Sequence, residues 1–277
     1  MEQILYGKPV AEFIDQKTLS FLNSLPKDKE KVHITAITVG DNPASLLYVS
    51  RKKDKAVELG INFHWEKLNS DISQIDLNKV IAKLSENTDG LIVQLPLPDH
   101  LDVVETINQI PVELDVDGLT TQNLGMLFSE KQILLPATTQ AVLEMLSFYN
   151  IDTFDKNIVI AGRSRLVSAP LARVLSSKQF NANVTVIHSK TSNQKEFVLN
   201  SDIFISAIGK AKMFDHSYFK PGCIVIDIGI SNVDGKTYGD IDPSNLDNIA
   251  KYRAPYPGGV GPITVSALFY NLTKLVS

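Results

Sequence analysis

Ile158-Val159-Ile160-Ala161-Gly162-Arg163-Ser164-Arg165-Leu166-Val167-Ser168-Ala169-Pro170 begins as a β-branched apolar run, turns at one glycine and continues with helical spacing. Strand, turn and helix in this order is the unit that, repeated, builds a parallel sheet with helices on its faces. The amide groups that open such a helix are a natural seat for a phosphate. The G-x-G-x-x-G string is absent, with only Gly162 in place. Glycine spacing therefore leaves two readings open, a dinucleotide site and a plain βα turn.

Working outward, the same alternation recurs. Asn157–Ala161, Asn183–Ile187, Ile203–Ala207 and Cys223–Ile228 read as strands, with helices over Thr138–Tyr149 and Val167–Leu175. The first half repeats the theme, with strands Val32–Val39, Ile61–Trp65 and Gly90–Gln94 and helices Ala44–Leu59 and Ile75–Ser85. A last helix, about Thr264–Leu275, follows the Gly/Pro-rich Pro255–Pro262. The fold class is α/β, with largely parallel, doubly wound sheets. A length of 277 residues fits two domains. The pattern is weakest near 120–140, which places the boundary there. The expected division is an N-terminal α/β domain of residues 1–137 plus 262–277 and a Rossmann-like nucleotide-binding domain of residues 138–261. The final helix would pack back on the first domain; one continuous sheet is the alternative.

Composition narrows the function. The single cysteine, Cys223, excludes an internal disulfide and a cysteine-built zinc site, and five scattered histidines give no metal-ligand spacing. No metal is expected. Acidic and basic residues, 31 and 27, are mixed along the chain, so no basic stripe suggests nucleic acid. Met1–Gly7 does not read as a signal peptide, and no apolar run approaches the roughly 18 residues of a membrane span. The expected partner is a small molecule and the expected location cytoplasmic.

Several residues stand where chemistry would be placed. Arg163 and Ser164, in the turn, could grip a phosphate with a guanidinium fork and a hydroxyl. The next strand ends in His188-Ser189-Lys190. An acid there would bind a ribose 2′-hydroxyl; Ser189 and Lys190 instead favour NADP over NAD. Asp227-Ile228-Gly229-Ile230 closes a strand at the carboxyl edge, where Gly229 would let the backbone approach a flat ring and Ile230 would pack on it. In the first half, Tyr48 and Lys52 are four apart and share a helix face. A lysine inside Arg51-Lys52-Lys53-Asp54-Lys55 is, by itself, more often solvated. Gln94 ends a buried strand, where its amide could orient an amine or a water. Asp115-Val116-Asp117-Gly118 puts two carboxylates on one side of an extended segment, and a carboxylate can accept two parallel bonds from a ring amine and ring N–H.

Taken in order, these segments resemble the bifunctional methylenetetrahydrofolate dehydrogenase/methenyltetrahydrofolate cyclohydrolase family over nearly the whole chain. Tyr48-Val49-Ser50-Arg51-Lys52 is similar to its Y-x-x-x-K motif, and Gly90-Leu91-Ile92-Val93-Gln94-Leu95-Pro96-Leu97-Pro98 to its strand-and-turn signature. Pro257-Gly258-Gly259-Val260-Gly261-Pro262-Ile263-Thr264 resembles its most specific motif. The resemblance implies oxidation of 5,10-methylenetetrahydrofolate with NADP, NAD being less favoured, then hydrolysis of the methenyl product to 10-formyltetrahydrofolate. It implies that Lys52 is the general acid/base, Tyr48 the ring that stacks on the folate, Gln94 the partner of Lys52 and Asp117 the acid at the pterin edge. Pro257, Gly258 and Gly259 would contact substrate. Gly162, Arg163, Ser164, Ser189 and Ile230 would contact the cofactor. A homodimer joined through the nucleotide domains is implied as well.

The chain also departs from that pattern. Pro136-Ala137-Thr138-Thr139-Gln140-Ala141 stands where P-C-T-P-x-G is usual, Ser168 replaces a glycine, and Ala254 and Tyr256 replace a threonine and a valine. None of these touches Tyr48, Lys52, Gln94 or Asp117. The altered turn motivates two alternatives: only one activity retained, the cyclohydrolase above all, or a folate- or nucleotide-binding protein without turnover.

Overall fold

A computed structural model describes residues 2–26 and 31–276. The first half runs β1 (Gln3–Ile4), α1 (Gly7–Ser24), β2 (His33–Val39), α2 (Pro43–Glu58), β3 (Asn62–Leu68), α3 (Gln74–Ser85), β4 (Gly90–Val93), α4 (Val103–Asn108) and α5 (Thr121–Phe128). The second continues with α6 (Ala137–Phe148), β5 (Asn157–Ala161), α7 (Ser168–Leu175), β6 (Asn183–Ile187), α8 (Gln194–Leu199), β7 (Ile203–Ser206), β8 (Ile224–Asp227), β9 (Ser231–Val233), β10 (Lys236–Tyr238), β11 (Tyr252–Ala254) and α9 (Val260–Leu275). The chain divides into two compact units: Phe13–Ala137 with Val265–Ser277, and Met1–Glu12 with Thr138–Thr264.

The first unit is built on β2. Its β-branched residues are buried from Ile34 to Val39, as a parallel strand covered on both faces requires. β3 and β4 flank it in parallel, giving the order β3-β2-β4. One buried cluster joins Val32, Ile34 and Ala36 to Val265, Leu268, Phe269 and Leu272 of α9, so the end of the chain completes this core. α2 starts where Asn42 Oδ1 accepts the N–H groups of Ala44 and Ser45, with Pro43 in its first turn. It ends at Gly60, whose φ of +73 is a left-handed turn that glycine takes without strain.

The second unit holds a six-stranded sheet in the order β1-β11-β8-β7-β5-β6 with every pair parallel. Phe204, Phe214 and Phe219 pack beneath it, with ring centroids 4.8 and 5.5 Å from Phe204. The chain leaves β5 toward β6 on one side and returns to β7 on the other. The topological switch point therefore lies between β5 and β7, where open α/β sheets bind ligands.

Two expectations change. Sequence pattern placed residues 1–12 with the first domain, whereas they group with the nucleotide half. The cause is β1, which pairs with β11 and brings Glu2 into a two-point bond with Arg253 at 2.7 and 3.1 Å. A two-residue strand has no period to read. The last helix starts at Val260, four residues before the expected start.

Buried Asn271, on α9, donates through Nδ2 to Val116 O at 3.0 Å and Leu135 O at 2.8 Å. Asn271→Ala strands both carbonyls in the core. Urea unfolding should show a loss on the order of 2–3 kcal/mol, and an unchanged midpoint would show that these bonds are not needed.

Candidate active site

α2 buries one stripe, Ser45, Val49, Lys52 and Ala56, at helical spacing. This separates Lys52 from its charged neighbours. Arg51, Lys53 and Asp54 are exposed, while Lys55 is tied to Asp15 at 2.8 Å and to Glu58 at 2.6 Å. The Lys52 side chain is only 10% exposed. A buried amine needs oxygen partners, and two are supplied. Lys52 Nζ donates to Gln94 Oε1 at 3.1 Å and lies 3.8 Å from Asp117 Oδ2. Half-buried Tyr48 sits one turn before on the same helix.

Each partner is fixed in turn. Gln94 follows β4; its N–H donates to Ile37 O and its side-chain Nε2 to Leu95 O, which leaves Oε1 for the lysine. Ser45 Oγ also donates to Leu95 O, at 3.3 Å, tying α2 to the same loop. Burial pushes the Asp117 carboxyl up from its usual range, an effect that the Lys52 charge opposes. The next residue, Gly118, has φ +69, and a Cβ there would come within 2.7 Å of Leu134 Cδ1. Asp115 behaves differently from its neighbour. It is fully buried and accepts from Leu119 N, Thr120 N and Asn123 Nδ2 at 3.2, 2.8 and 2.7 Å. The two carboxylates thus do not act as one face: Asp115 holds the loop, and Asp117 meets the lysine.

The other predicted positions lie in the second unit. Gly162 closes β5 with φ +123, and a Cβ there would come within 2.7 Å of both Ala207 O and Ser168 Oγ. Arg163 and Ser164 are exposed in the turn. α7 opens without a side-chain cap, and buried Arg165 Nη2 and Ser168 Oγ lack hydrogen-bond partners. A side-chain-free cradle with unanswered donors beside it fits a phosphate-bearing cofactor. Ser168 is fully buried, and its hydroxyl lies against Gly162. Ser189 is exposed after β6, and Ile230 is 37% exposed after β8. Pro257 and Gly258 are exposed, and Gly258 O accepts the N–H of Gly7 at 2.8 Å. Gly229 is buried, and a Cβ on it would run into the Asp240 carboxylate. Its lack of a side chain is required by Asp240 rather than by a flat ring.

Residues 5–117 match the family described as "Tetrahydrofolate dehydrogenase/cyclohydrolase, catalytic domain", and residues 136–277 its "NAD(P)-binding domain". The chain belongs to the tetrahydrofolate dehydrogenase/cyclohydrolase family. It is 38% identical to the bifunctional protein FolD of Lactobacillus acidophilus, over 99% of this chain and 97% of that protein. Among solved structures, the FolD methylenetetrahydrofolate dehydrogenase/cyclohydrolase of Campylobacter jejuni is 34% identical with a TM-score of 0.94, covering 99% and 98% of the two chains. The Trypanosoma brucei enzyme, complexed with NADP cofactor and inhibitor, is 30% identical with a TM-score of 0.93, covering 99% and 97%. Among the described residues, no group of three or more His, Cys, Asp or Glu could hold a metal, and no helix is long and apolar enough to cross a membrane.

Sequence reading missed one feature of this family member, a pair of buried carboxylates at the carboxyl edge of the second sheet. Asp227 accepts the N–H groups of Asp240 and Ile241 at 3.1 and 3.0 Å. Burial pushes the Asp227 carboxyl up to about 7, and the Asp240 charge adds to this against the pull of the backbone donors. The only signal was an acid ending the apolar run Val225-Ile226. Because the folded state keeps this proton longer than the unfolded chain, stability falls as pH rises from about 4 to about 7. The contribution is fully present below that window and lost above it. Asp227→Asn should flatten this part of the stability profile. Urea midpoints of both proteins across the window test it, and parallel slopes would contradict it.

Proposed function

We infer that this chain oxidises 5,10-methylenetetrahydrofolate to the methenyl form with NADP and hydrolyses that product to 10-formyltetrahydrofolate. The observation that carries the reading is the buried Lys52 amine, held by Gln94 Oε1 and faced by Asp117. A nicotinamide, when bound, supplies the hydride acceptor. Oxidation needs orientation more than acid catalysis, because a ring nitrogen lone pair drives loss of the hydride. Tyr48 provides a ring face for the folate, and Asp117 provides acceptors for the paired donors of the pterin edge.

Hydrolysis needs proton transfer. As the water oxygen bonds the methenyl carbon, the Lys52 amine lone pair takes the released proton; as the bond from that carbon to N5 breaks, that proton passes to N5, and the hydroxyl proton leaves to solvent as the formyl C=O forms. Gln94 keeps the amine aimed through both steps. Gly162, Arg163, Ser164, Ser189 and Ile230 would hold the cofactor, and Pro257, Gly258 and Gly259 would line the substrate. We read the enzyme as a cytoplasmic homodimer joined through its nucleotide-binding unit, where β6 is an edge strand with Val186 39% exposed.

Lys52→Met should cut hydrolysis by roughly 10²–10⁴-fold while some dehydrogenase activity survives. NADP+ reduction and methenyl absorbance, followed on one preparation, measure both. Equal loss of the two would refute a role centred on the water step. In the same assay, kcat/KM should be higher with NADP+ than with NAD+; comparable values would remove the role given to Ser189 and Lys190.

A further inference from the structure

The turn after β7 forms a wall of the switch-point crevice. Ala207 N–H donates to Ala161 O at 2.9 Å, and Ala207 O bounds the space over Gly162. At its other end, a Cβ on Gly209 would lie 3.3 Å from Ile230 O. The turn therefore connects two positions assigned above to the cofactor, Gly162 and Ile230.

One side chain holds this wall. Asp240 is fully buried. Its Oδ2 accepts from Ser206 Oγ and Ile208 N, and its Oδ1 from Lys210 N, each at 2.7 Å. Its own N–H is bound by Asp227, and its carbonyl accepts Phe214 N–H at 3.0 Å. Asp240 follows the β9–β10 hairpin that Ile230 leads into, so it fastens the base of that hairpin to the turn. Gly229 and Gly239 leave the room: a Cβ on the first would strike Asp240, and one on the second would strike Asp227. Three charge-assisted bonds are far more than closing a hairpin requires, and all three end on the turn.

We propose that Asp240 is a positioning residue for the dinucleotide, setting the 206–210 turn against Gly162 and Ile230 before the cofactor arrives. This rests on the nucleotide reading of the second unit. Preorganisation of this kind appears as affinity, because the ligand does not have to order the turn. The folate-side lysine site lies in the other unit, so methenyl hydrolysis reports whether the lysine-bearing unit is intact.

The test uses Asp240→Asn, which keeps the shape but offers one acceptor oxygen instead of two. Titration calorimetry with NADP+ should show Kd raised at least tenfold, amide exchange of Ile208 and Lys210 should quicken without cofactor, and hydrolysis should stay within about twofold. NADP+ affinity within twofold of wild type would overturn the proposal. Ser206→Ala removes a single bond and covers the case in which Asp240→Asn does not fold. It should weaken NADP+ binding about threefold, and unchanged affinity and exchange there would also overturn it. Wild-type protein that binds no NADP+ would instead defeat the nucleotide reading itself.

Discussion

An amine cannot be left alone inside a protein. Lys52 sits on the buried stripe of α2, so its charge must be answered by oxygen atoms that the fold brings to it. Gln94 arrives from the end of β4 and Asp117 from the loop beyond α4. Each needs support of its own: Gln94 is oriented by Leu95 O, and the Asp117 loop is gathered by buried Asp115. The parallel β2–β4 pairing places the end of β4 beside α2, so that sheet and site depend on each other.

The nucleotide unit solves the opposite problem. There the buried groups are carboxylates, and backbone N–H groups answer them in place of side-chain charge. Backbone donors are fixed by the path of the chain, which makes a buried acid a good fastener for a turn. Glycines at 229 and 239 are the counterpart, since the space a side chain would take is filled by carboxylate.

Much of this was legible in sequence. Long β-branched runs such as Val32–Val39 and Asn157–Ala161 mark strands because burial on both faces demands them. The pairing of Lys52 with Gln94 came from the family motifs; helix phase and strand end alone left Lys52 in a solvated charge run and Gln94 as a strand-end amide. What escaped depends on partners distant in sequence. β1 is a strand only because β11 is beside it, and Asp240 matters only because Ser206, Ile208 and Lys210 lie under it. Asp115 and Asp117 look equivalent two residues apart, and only the folded loop separates a fastener from a site acid.

The division of the chain also constrains the order in which it can fold. Neither unit is a continuous stretch, because the opening residues serve the second and the closing helix serves the first. The core around Val32, Ile34 and Ala36 waits for Val265, Leu268, Phe269 and Leu272. During synthesis, β2 to β4 leave the ribosome long before α9 exists. The lysine-bearing unit must therefore stand with an open apolar face through translation of the whole nucleotide unit, exposed to aggregation or to chaperones, until α9 has followed it.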